Sequence, residues 1–331
     1  MEVTMGTHSI RQADSFSSGV STPRGHGEPS WRPAQAPSRR YVLMTAAYNE
    51  ETTIEQTILS VVSQTLLPSR WIIASDGSFD NTDMIVQNYA NKHDFIRFLR
   101  ITRSPGRSFN SKVLALRCAF ELTNDLAFEF VGNIDADVSV NSSYFEDLIT
   151  RFSINPELGL AAGFIFEKKG QAYQEIASNR VHSVAHAAQL VRRECYQAIG
   201  GYAVLEFGGE DWHAETSARM MGWTAEAFPD LPIFHHRPTG EAERLLTYKF
   251  RTGRMDYSLG SDPLFEALKC LGRILERPFI VGGMARWAGF AWSWICGDRR
   301  SVSEPFMAFL RKGQRERLRL LLAGRKVRVK A

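Results

Sequence analysis

Apolar and polar positions over the first part of the chain alternate between two kinds of segment. Short runs of consecutive apolar residues, such as Tyr41–Thr45, predict buried strands, whereas Glu51–Leu66 places its isoleucines and valines on one face of a helix. Strands that alternate with helices predict a mostly parallel sheet that is covered on both faces. Further strands are predicted at Trp71–Ala74, Ile96–Ile101 and Ala127–Ile134, and further helices at Asp80–Tyr89 and Ser111–Leu122.

Polar side chains follow three of these predicted strands. Asn49, Asp76 and Asp135 each stand where a strand ends. Ligands of parallel α/β sheets bind at the carboxyl ends of the strands, so we expect these three residues to lie together at the site.

The carboxylates at these strand ends have a functional and a structural interpretation. Asp135-Ala136-Asp137 places two carboxylates two residues apart, which suits a hard divalent cation such as Mg²⁺ or Mn²⁺ that takes its other ligands from phosphate and water. Asp76, in Ser75-Asp76-Gly77-Ser78, suits a hydrogen bond to the base or ribose of a nucleotide. The alternative is that these aspartates form turns or helix caps, in which Asp is common.

A third acidic motif comes later in the chain. Gly208-Gly209-Glu210-Asp211 precedes a predicted helix at His213–Met221. The motif suits a general base in a loop that opens a helix, or acidic residues that only complement the helix dipole. The helix N-terminus lowers the pKa of such a base, whereas burial and the adjacent Glu210 raise it, and the sequence leaves open which effect prevails.

Taken together, these motifs resemble those of the family 2 glycosyltransferases. The resemblance extends over about residues 41–240 and follows the order of the family's motifs. It implies an α/β protein with the GT-A fold, a Rossmann-like mixed sheet, that transfers a sugar from a nucleotide-diphosphate donor with inversion and uses Mg²⁺ or Mn²⁺. The matching elements are Ala47-Tyr48-Asn49-Glu50-Glu51, Ser75-Asp76-Gly77-Ser78, Lys112 with Ala115-Leu116, Asp135-Ala136-Asp137, Gly200-Gly201-Tyr202 and Gly209-Glu210-Asp211.

The resemblance also implies roles for individual residues. Asp211 is the expected catalytic base, with Glu210 beside it as orienter or acceptor ligand. Asp137 is the expected metal ligand, together with Asp135, which also contacts the donor. The donor pocket is expected to include Ala47, Tyr48, Glu50 or Glu51, Asp76 and Ala136.

Basic residues are expected around so much phosphate. Lys112 and Arg107 flank the third crossover, and His235-His236-Arg237 follows a further predicted strand. We expect Lys112, Arg107 and Arg237 to contact the donor and His236 to complete the metal shell. The alternative is that these are ordinary solvated surface residues.

Composition and charge divide the chain into three regions. Residues 1–39 contain seven Ser, four Pro and four Gly and no apolar run that resembles a secretory signal, so a disordered tail is predicted. Residues 40–240 form the predicted catalytic domain.

The four cysteines form no CxxC pair, which indicates neither zinc nor disulfides and favours a reduced compartment.

The predicted C-terminal helical region is residues 241–331. Residues 278–297 carry one charged residue, Arg286, which argues against a membrane span and favours a helix that lies in the interface or re-enters it. Trp287, Phe290, Ala291 and Trp294 would form its apolar face. Residues 311–331 hold nine basic residues and one acidic residue, which suits anionic lipid. The alternative is a packed helical subdomain with a solvated basic face.

The function that we expect is an inverting glycosyltransferase that acts at the cytoplasmic face of the cell membrane. Its acceptor would be a saccharide, expected to be lipid-linked, in cell-surface polysaccharide or glycolipid synthesis. One alternative is a polyprenyl-monophosphate sugar synthase, whose phosphate acceptor needs less base catalysis; another is a sugar-nucleotide-binding scaffold without activity. Nucleic-acid binding is not expected, because no recognition motif accompanies the basic tail.

Overall fold

The computed structural model describes residues 2–4, 39–102, 109–237, 245–273 and 280–323. Over these ranges the strands are β1 (Glu2–Thr4), β2 (Tyr41–Ala47), β3 (Arg70–Ser75), β4 (Ile96–Thr102), β5 (Phe130–Ile134), β6 (Val138–Val140), β7 (Leu158–Lys169), β8 (Ala172–Glu175), β9 (Ala188–Arg192) and β10 (Thr224–His235). The helices are α1 (Ile54–Val62), α2 (Thr82–Ala90), α3 (Phe109–Glu121), α4 (Tyr144–Ile154), α5 (Arg193–Ala198), α6 (Glu210–Met220), α7 (Leu245–Ser258), α8 (Pro263–Gly272), α9 (Val281–Ile295) and α10 (Glu304–Leu322).

These strands form one mixed sheet in the order β1-β4-β3-β2-β5-β9-β7-β10-β6, with β8 paired to β7. The half from β1 to β5 is parallel, as the alternation of strands and helices predicts. In the other half β9 runs antiparallel to β5 and β7, and β6 runs antiparallel to β10. The order β3-β2-β5 brings three carboxyl ends to neighbouring positions at one edge of the sheet.

The burial of the strands explains why they occupy these positions. Strands β3 and β5 are buried along almost their whole length, as is expected where helices cover both faces of a parallel sheet. Strand β4 alternates buried and exposed residues and lies next to the short strand β1. The central strands are therefore rigid, and the loops that follow them are held by a packed core.

The N-terminal segment departs from the sequence prediction at three residues. Glu2–Thr4, which fall within the predicted disordered tail, form β1 and pair in parallel with Arg100–Thr102 of β4. The physical reason is that the edge of β4 presents backbone groups that a further strand satisfies. Residues 5–38 of that tail lie outside the described residues.

Three of the C-terminal helices, α7, α8 and α9, pack around a buried cluster of charges. Arg286 of α9 donates to Asp256 of α7 (Nη2 to Oδ2, 2.6 Å) and to Glu266 of α8 (Nε to Oε1, 3.1 Å). Lys269 adds ion pairs to the same two carboxylates at 3.1 and 2.6 Å. Buried charges are tolerated where they are paired in this way, so the cluster ties α7, α8 and α9 together.

The segment at 278–297 differs from its predicted arrangement. Val281–Ile295 of this segment form α9, in which Phe290 of the predicted apolar face is buried together with Arg286, whereas Trp294 of that face is 59% exposed. Phe290 packs on Tyr257 of α7, with ring centroids 5.6 Å apart. Among the described helices, none combines the length and the apolar character that crossing a bilayer requires.

Candidate active site

The first wall of the site comes from the ends of β2 and β3. Ala47 is buried, and its carbonyl accepts a hydrogen bond from the Asp76 amide at 2.9 Å. This bond continues the pairing of the two strands by one residue and fixes the half-buried Asp76 beside the backbone of Ala47. Ala47 and Asp76, which are both predicted to contact the donor, therefore lie at the carboxyl ends of the strands, where ligands of parallel α/β sheets bind.

The loop after β2 is braced by the loop after β3. Asn49 has a positive φ of 55°, and its side-chain oxygen accepts from the Phe79 amide at 3.0 Å. Tyr48 packs edge-on against Phe79, with ring centroids 6.2 Å apart. Phe79 is 82% exposed, and sequence reasoning did not select it, although an aromatic residue directly after Ser75-Asp76-Gly77-Ser78 was a usable signal.

The structure separates the two candidate glutamates. Glu50 is buried, and its carboxylate accepts from Arg237 at 2.6 Å and from Thr53 at 3.0 Å. Burial raises its pKa above the ordinary value. Glu51 is exposed and accepts from the backbone and side chain of Asn81, which joins the two loops. Glu50 therefore faces the charged centre, and Glu51 supports the surrounding loop.

Lys112 lies between Asp135, directly after β5, and the acidic N-terminus of α6. Its ammonium lies 2.7 Å from Asp135 Oδ1 and 2.9 Å from Asp135 Oδ2. Burial lowers the pKa of Lys112, but the charges of Asp135, Glu210 and Asp137 outweigh it and raise the pKa above its ordinary value. One cation is thus close to the predicted metal site and to the predicted base.

Asp137 is surrounded by cationic groups. Its Oδ2 atom lies 2.9 Å from Arg237 Nη2 and 3.2 Å from His235 Nε2. Burial alone raises the pKa of this carboxyl, but the hydrogen bond and charge of His235, with those of Arg237, lower it to about 2. The Asp137 carboxylate is therefore ionised at neutral pH, and Arg237 bridges it to Glu50.

His236 has a different environment from His235. Its Nδ1 atom lies 2.7 Å from the Tyr173 hydroxyl, and its backbone amide donates to the Asp137 carbonyl at 2.9 Å. Its Nε2 atom is buried and has no hydrogen-bond partner among the described residues. Burial lowers the pKa of the ring, so His236 is neutral and Nε2 can carry a lone pair when Nδ1 carries the proton.

These residues fit a divalent cation that arrives with a diphosphate. The described part of the chain holds no cluster of three or more His, Cys, Asp and Glu side chains arranged for a metal. A nucleotide-bound Mg²⁺ or Mn²⁺ needs only one or two protein ligands, because phosphate and water supply the rest. Asp137 and the orphaned Nε2 of His236 are suitable donors; the cation would share Asp137 with Arg237 and His235, as it would share Asp135 with Lys112.

Asp211 and Glu210 begin α6, three residues earlier than the helix predicted at this position. Asp211 Oδ1 accepts a hydrogen bond from the Trp212 amide at 2.7 Å, which orients the carboxyl group. Burial, followed by the charge of Glu210, raises the pKa of Asp211 to about 6 despite that bond and the cation of Lys112. The raising effects therefore prevail, and the carboxylate is a stronger base than a solvated aspartate.

The C-terminal helices hold the loop that leads to Asp211. Arg251 of α7 donates to the Phe207 carbonyl at 2.7 Å, and the Arg254 guanidinium lies 4.3 Å from the centre of the Phe207 ring. Gly209 has a φ of 93°, and a Cβ atom there would lie 2.9 Å from Met255 Sδ. The sequence suggested Arg251 and Arg254 only as residues that shape an acceptor site; it did not show that they and Met255 hold this loop, because all three lie forty or more residues after Asp211.

A buried polar group packs against β5, the strand that ends directly before Asp135. The Tyr202 hydroxyl is 2.8 Å from both Asn133 Oδ1 and Gln189 Oε1, and Tyr202 packs edge-on against His186. The Asp135 amide donates to the Ala187 carbonyl at 2.8 Å. Tyr202 belongs to the predicted Gly200-Gly201-Tyr202 motif, and its contacts indicate that this motif supports β5 from below.

Most of the residues selected from the sequence come together in this way. Glu50, Asp137, Arg237 and His236 form one cluster around the end of β10, and Lys112 links it through Asp135 to Glu210. Ala136 is buried beside them, and its carbonyl accepts from Thr57 at 3.0 Å, so its contribution is structural support. Arg107 lies outside the described residues.

A mixed sheet with acidic and basic side chains at its strand ends is the arrangement expected of a transferase with the GT-A fold. Residues 43–203, which are 161 of the 331 residues, match the model of glycosyl transferase family 2. Over these residues the chain is similar to that family.

Curated relatives are similar over part of their length. Poly-β-1,6-N-acetyl-D-glucosamine synthase of Staphylococcus epidermidis is 30% identical over 122 residues, which are 36% of this chain and 27% of the relative. The corresponding synthase of Staphylococcus aureus is 29% identical over 120 residues, with the same two shares. The matched segment thus spans about a quarter of the length of these relatives.

Solved structures share the fold. The mannosyltransferase PcManGT of Pyrobaculum calidifontis, solved with GDP-Man and Mn²⁺, has a TM-score of 0.50 at 17% identity and covers 87% of this chain and 84% of its own. Residues 1–349 of TarS from S. aureus, solved with UDP-GlcNAc, have a TM-score of 0.50 at 14% identity, covering 79% of this chain and 74% of TarS. At these identities the likeness concerns the fold alone.

Proposed function

We propose that the protein is an inverting glycosyltransferase that moves a sugar from a nucleotide-diphosphate sugar to a hydroxyl group of a saccharide acceptor. The observation that carries this proposal is the position of Lys112. Its ammonium contacts Asp135 at the donor edge and is close enough to Glu210 for that charge to raise its pKa. Donor-binding and acid–base groups therefore share one site, as direct displacement requires.

Asp211 is the proposed catalytic base. A carboxylate with a pKa of about 6 is ionised at neutral pH and is a better proton acceptor than a solvated aspartate. It would take the proton of the acceptor hydroxyl while the hydroxyl oxygen attacks the anomeric carbon. The bond to the nucleotide diphosphate breaks on the opposite side, which inverts the configuration.

The donor is proposed to lie along the strand ends. Asp76, beside Ala47, would accept from the nucleoside, and Tyr48 with Phe79 would line the same pocket. Arg237 and Lys112 would hold the diphosphate, with Asp137 and His236 as protein ligands of Mg²⁺ or Mn²⁺. The bound cation would supply positive charge to the leaving diphosphate. The Mn²⁺ in the PcManGT structure supports a divalent cation.

The acceptor and the location are also proposals. A lipid-linked saccharide in cell-surface polysaccharide synthesis agrees with what the staphylococcal relatives are named for, and it implies membrane contact at the cytoplasmic face. The acceptor would approach Asp211 from the side of α7, where Arg251 lies near Glu210 and Gly208.

The test is a donor and turnover assay on the purified full chain. UDP-, GDP- and dTDP-sugars are offered with Mn²⁺ or Mg²⁺, and both binding and release of the nucleotide diphosphate are measured. We expect one nucleotide class to bind in a metal-dependent manner that Asp137→Ala abolishes. The exposed Asp94→Asn is the matched control and should bind normally.

The same assay separates the alternatives. Asp211→Asn should bind the donor but lose turnover. If Asp211→Asn retains turnover with a polyprenyl phosphate acceptor, the result would favour the monophosphate sugar synthase, because an ionised phosphate needs less base catalysis than a hydroxyl group. Donor binding by the native chain without turnover on any acceptor would favour the scaffold.

A further inference from the structure

Helix α9 presents an apolar stripe to solvent. Val281, Met284, Ala288, Trp292 and Ile295 recur at helical spacing, and all five are exposed. Trp292 is 55% and Ile295 82% exposed. Soluble helices turn their apolar stripe inward and their polar face outward. In α9 the face that packs against the protein carries Arg286 and Ser293 besides Phe290 and three glycines.

Helix α8 repeats this arrangement. Leu264, Leu268 and Leu271 lie on one face and are exposed, whereas Glu266 and Cys270 face inward and are buried. Single exposed leucines need no explanation, but two neighbouring helices with outward stripes do. Together, the exposed apolar residues of the two helices form the outer stripes, which are Leu264, Leu268 and Leu271 of α8 and Val281, Met284, Ala288, Trp292 and Ile295 of α9.

The packing prevents the outer stripes from turning inward. Helices α7 and α9 touch through Gly253 and Gly289, where an added Cβ would lie 1.8 Å from the Arg286 carbonyl oxygen and 1.9 Å from the Phe250 carbonyl oxygen. Any rotation of α9 would bring a side chain into this contact. It would also break the ion pairs of Arg286 with Asp256 and Glu266. The exposure of the stripes is therefore built into the subdomain.

The C-terminal helical region that carries the outer stripes has an excess of basic residues. Residues 245–273 and 280–323 contain thirteen Lys and Arg residues against six Asp and Glu residues. Arg273, just after α8, and Arg299, four residues after the end of α9, are both exposed. Exposed apolar side chains with tryptophan and flanking cations suit the interface of a bilayer with anionic headgroups.

We propose that the outer stripes of α8 and α9 dock the protein on an anionic lipid bilayer. Trp292 and Ile295 enter the boundary between headgroups and acyl chains, while Arg273 and Arg299 contact the headgroups. The contact is peripheral, and Arg286 stays within the protein. The inference deepens the proposed function, since it identifies the surface through which a lipid-linked acceptor would be met.

Co-sedimentation of the full chain with vesicles tests the docking without any nucleotide sugar. Vesicles of phosphatidylcholine are compared with vesicles of phosphatidylcholine and phosphatidylglycerol. We expect binding to the anionic vesicles that weakens in high salt and falls about tenfold or more in the Trp292→Ser/Ile295→Ser double variant. Ile154→Ser, an exposed apolar residue of α4, is the matched control and should bind like the native chain.

Three results would overturn the proposal. The first is that the native chain does not sediment with anionic vesicles. The second is that Ile154→Ser loses as much binding as the double variant. The third is a dimer in light scattering that the double variant dissociates, which would make the stripes an interface between two copies. Donor binding, measured on the same samples, reports separately on the proposed transferase site.

Discussion

His213 of α6 stacks on Phe306 of α10, with ring centroids 4.9 Å apart and ring planes 12° apart. His213 lies two residues after Asp211, on the helix that carries the proposed base. Helix α10 comes from the C-terminal region, beyond the residues that match the family. The C-terminal helices are thus a structural part of the candidate active site, although the sequence resemblance ends before them.

This stacking predicts that α10 supports the catalytic helix. Phe306 is 2% exposed, so Phe306→Ala removes a buried ring and should lower the free energy of unfolding by about 3–5 kcal/mol. Phe309→Ala, on the same helix but 40% exposed, should cost much less. Denaturant unfolding of both variants checks the difference. Equal losses would mean that Phe306 contributes no more than a surface ring.

The proposed base predicts a separation of binding from turnover. Asp211→Asn keeps the size of the side chain but cannot accept a proton at neutral pH. We expect kcat to fall by about 10²–10⁴-fold with little change in the donor Kd. Steady-state kinetics and calorimetry on the same protein provide the two quantities. A parallel loss of donor binding would show that Asp211 acts on the donor instead.

The raised pKa of Asp211 predicts an acidic limb in the pH profile. The base must be ionised, so kcat should rise with pH, reach half of its plateau near pH 6 and level off above that pH. Glu210, Lys112 and Glu215 are the charged groups that influence this carboxyl. Glu210→Gln removes a neighbouring negative charge, which lowers the pKa of Asp211 and moves the limb to lower pH. A limb that stays in place in this variant would assign it to another group.

The ion pairs of Arg237 predict a role in holding the donor. Arg237 contacts Glu50 at 2.6 Å and Asp137 at 2.9 Å, so its guanidinium lies where a diphosphate would be bound. Arg237→Ala should weaken binding of the nucleotide diphosphate by about tenfold or more, since a charged hydrogen bond contributes about 1.5–3 kcal/mol. Arg97→Ala, which removes a surface arginine at the start of β4, is the control. Unchanged affinity in Arg237→Ala would limit Arg237 to a structural role.

The approach of α7 to the loop before Asp211 predicts a further pair of variants. Gly209 and Gly200 both have positive φ, but a Cβ atom meets Met255 and Leu259 only at Gly209; at Gly200 nothing lies within 4 Å. Gly200→Ala therefore measures the backbone strain alone, about 1–3 kcal/mol. Gly209→Ala should cost more in unfolding free energy and should also lower kcat. Identical behaviour of the two variants would show that Met255 yields without disturbing the loop.

The parallel half of the sheet was predictable from local patterns. Runs such as Tyr41–Thr45 and Ala127–Ile134 are apolar because helices cover both faces of those strands, and the structure has β2 and β5 at these positions. Helix ends were predicted less well. The helix predicted from Glu51 begins at Ile54, because Glu50 and Glu51 are held by contacts with Thr82, Arg237 and Asn81 that come from other segments.

The candidate site was predicted as a set of residues rather than as an arrangement. The sequence could not choose between Glu50 and Glu51, or between His235 and His236, because adjacent residues share the same local signal. The structure distinguishes them by burial and by their partners: Glu50 pairs with Arg237, and His235 binds Asp137 while His236 contacts Tyr173.

What the sequence by itself determined is the order of the strands and helices in the parallel half and the chemical groups that follow them, since both depend on residues close together in the chain. The tertiary structure alone decided which face of α9 is exposed. The sequence predicted that Phe290 lies on the exposed face with the tryptophans. In the structure Asp256 and Glu266 hold Arg286 inward, and Phe290 is buried on the same side of α9, where two glycines bring α7 and α9 into contact. The partners of Arg286 stand twenty or more residues away, so no local pattern records which way the helix turns.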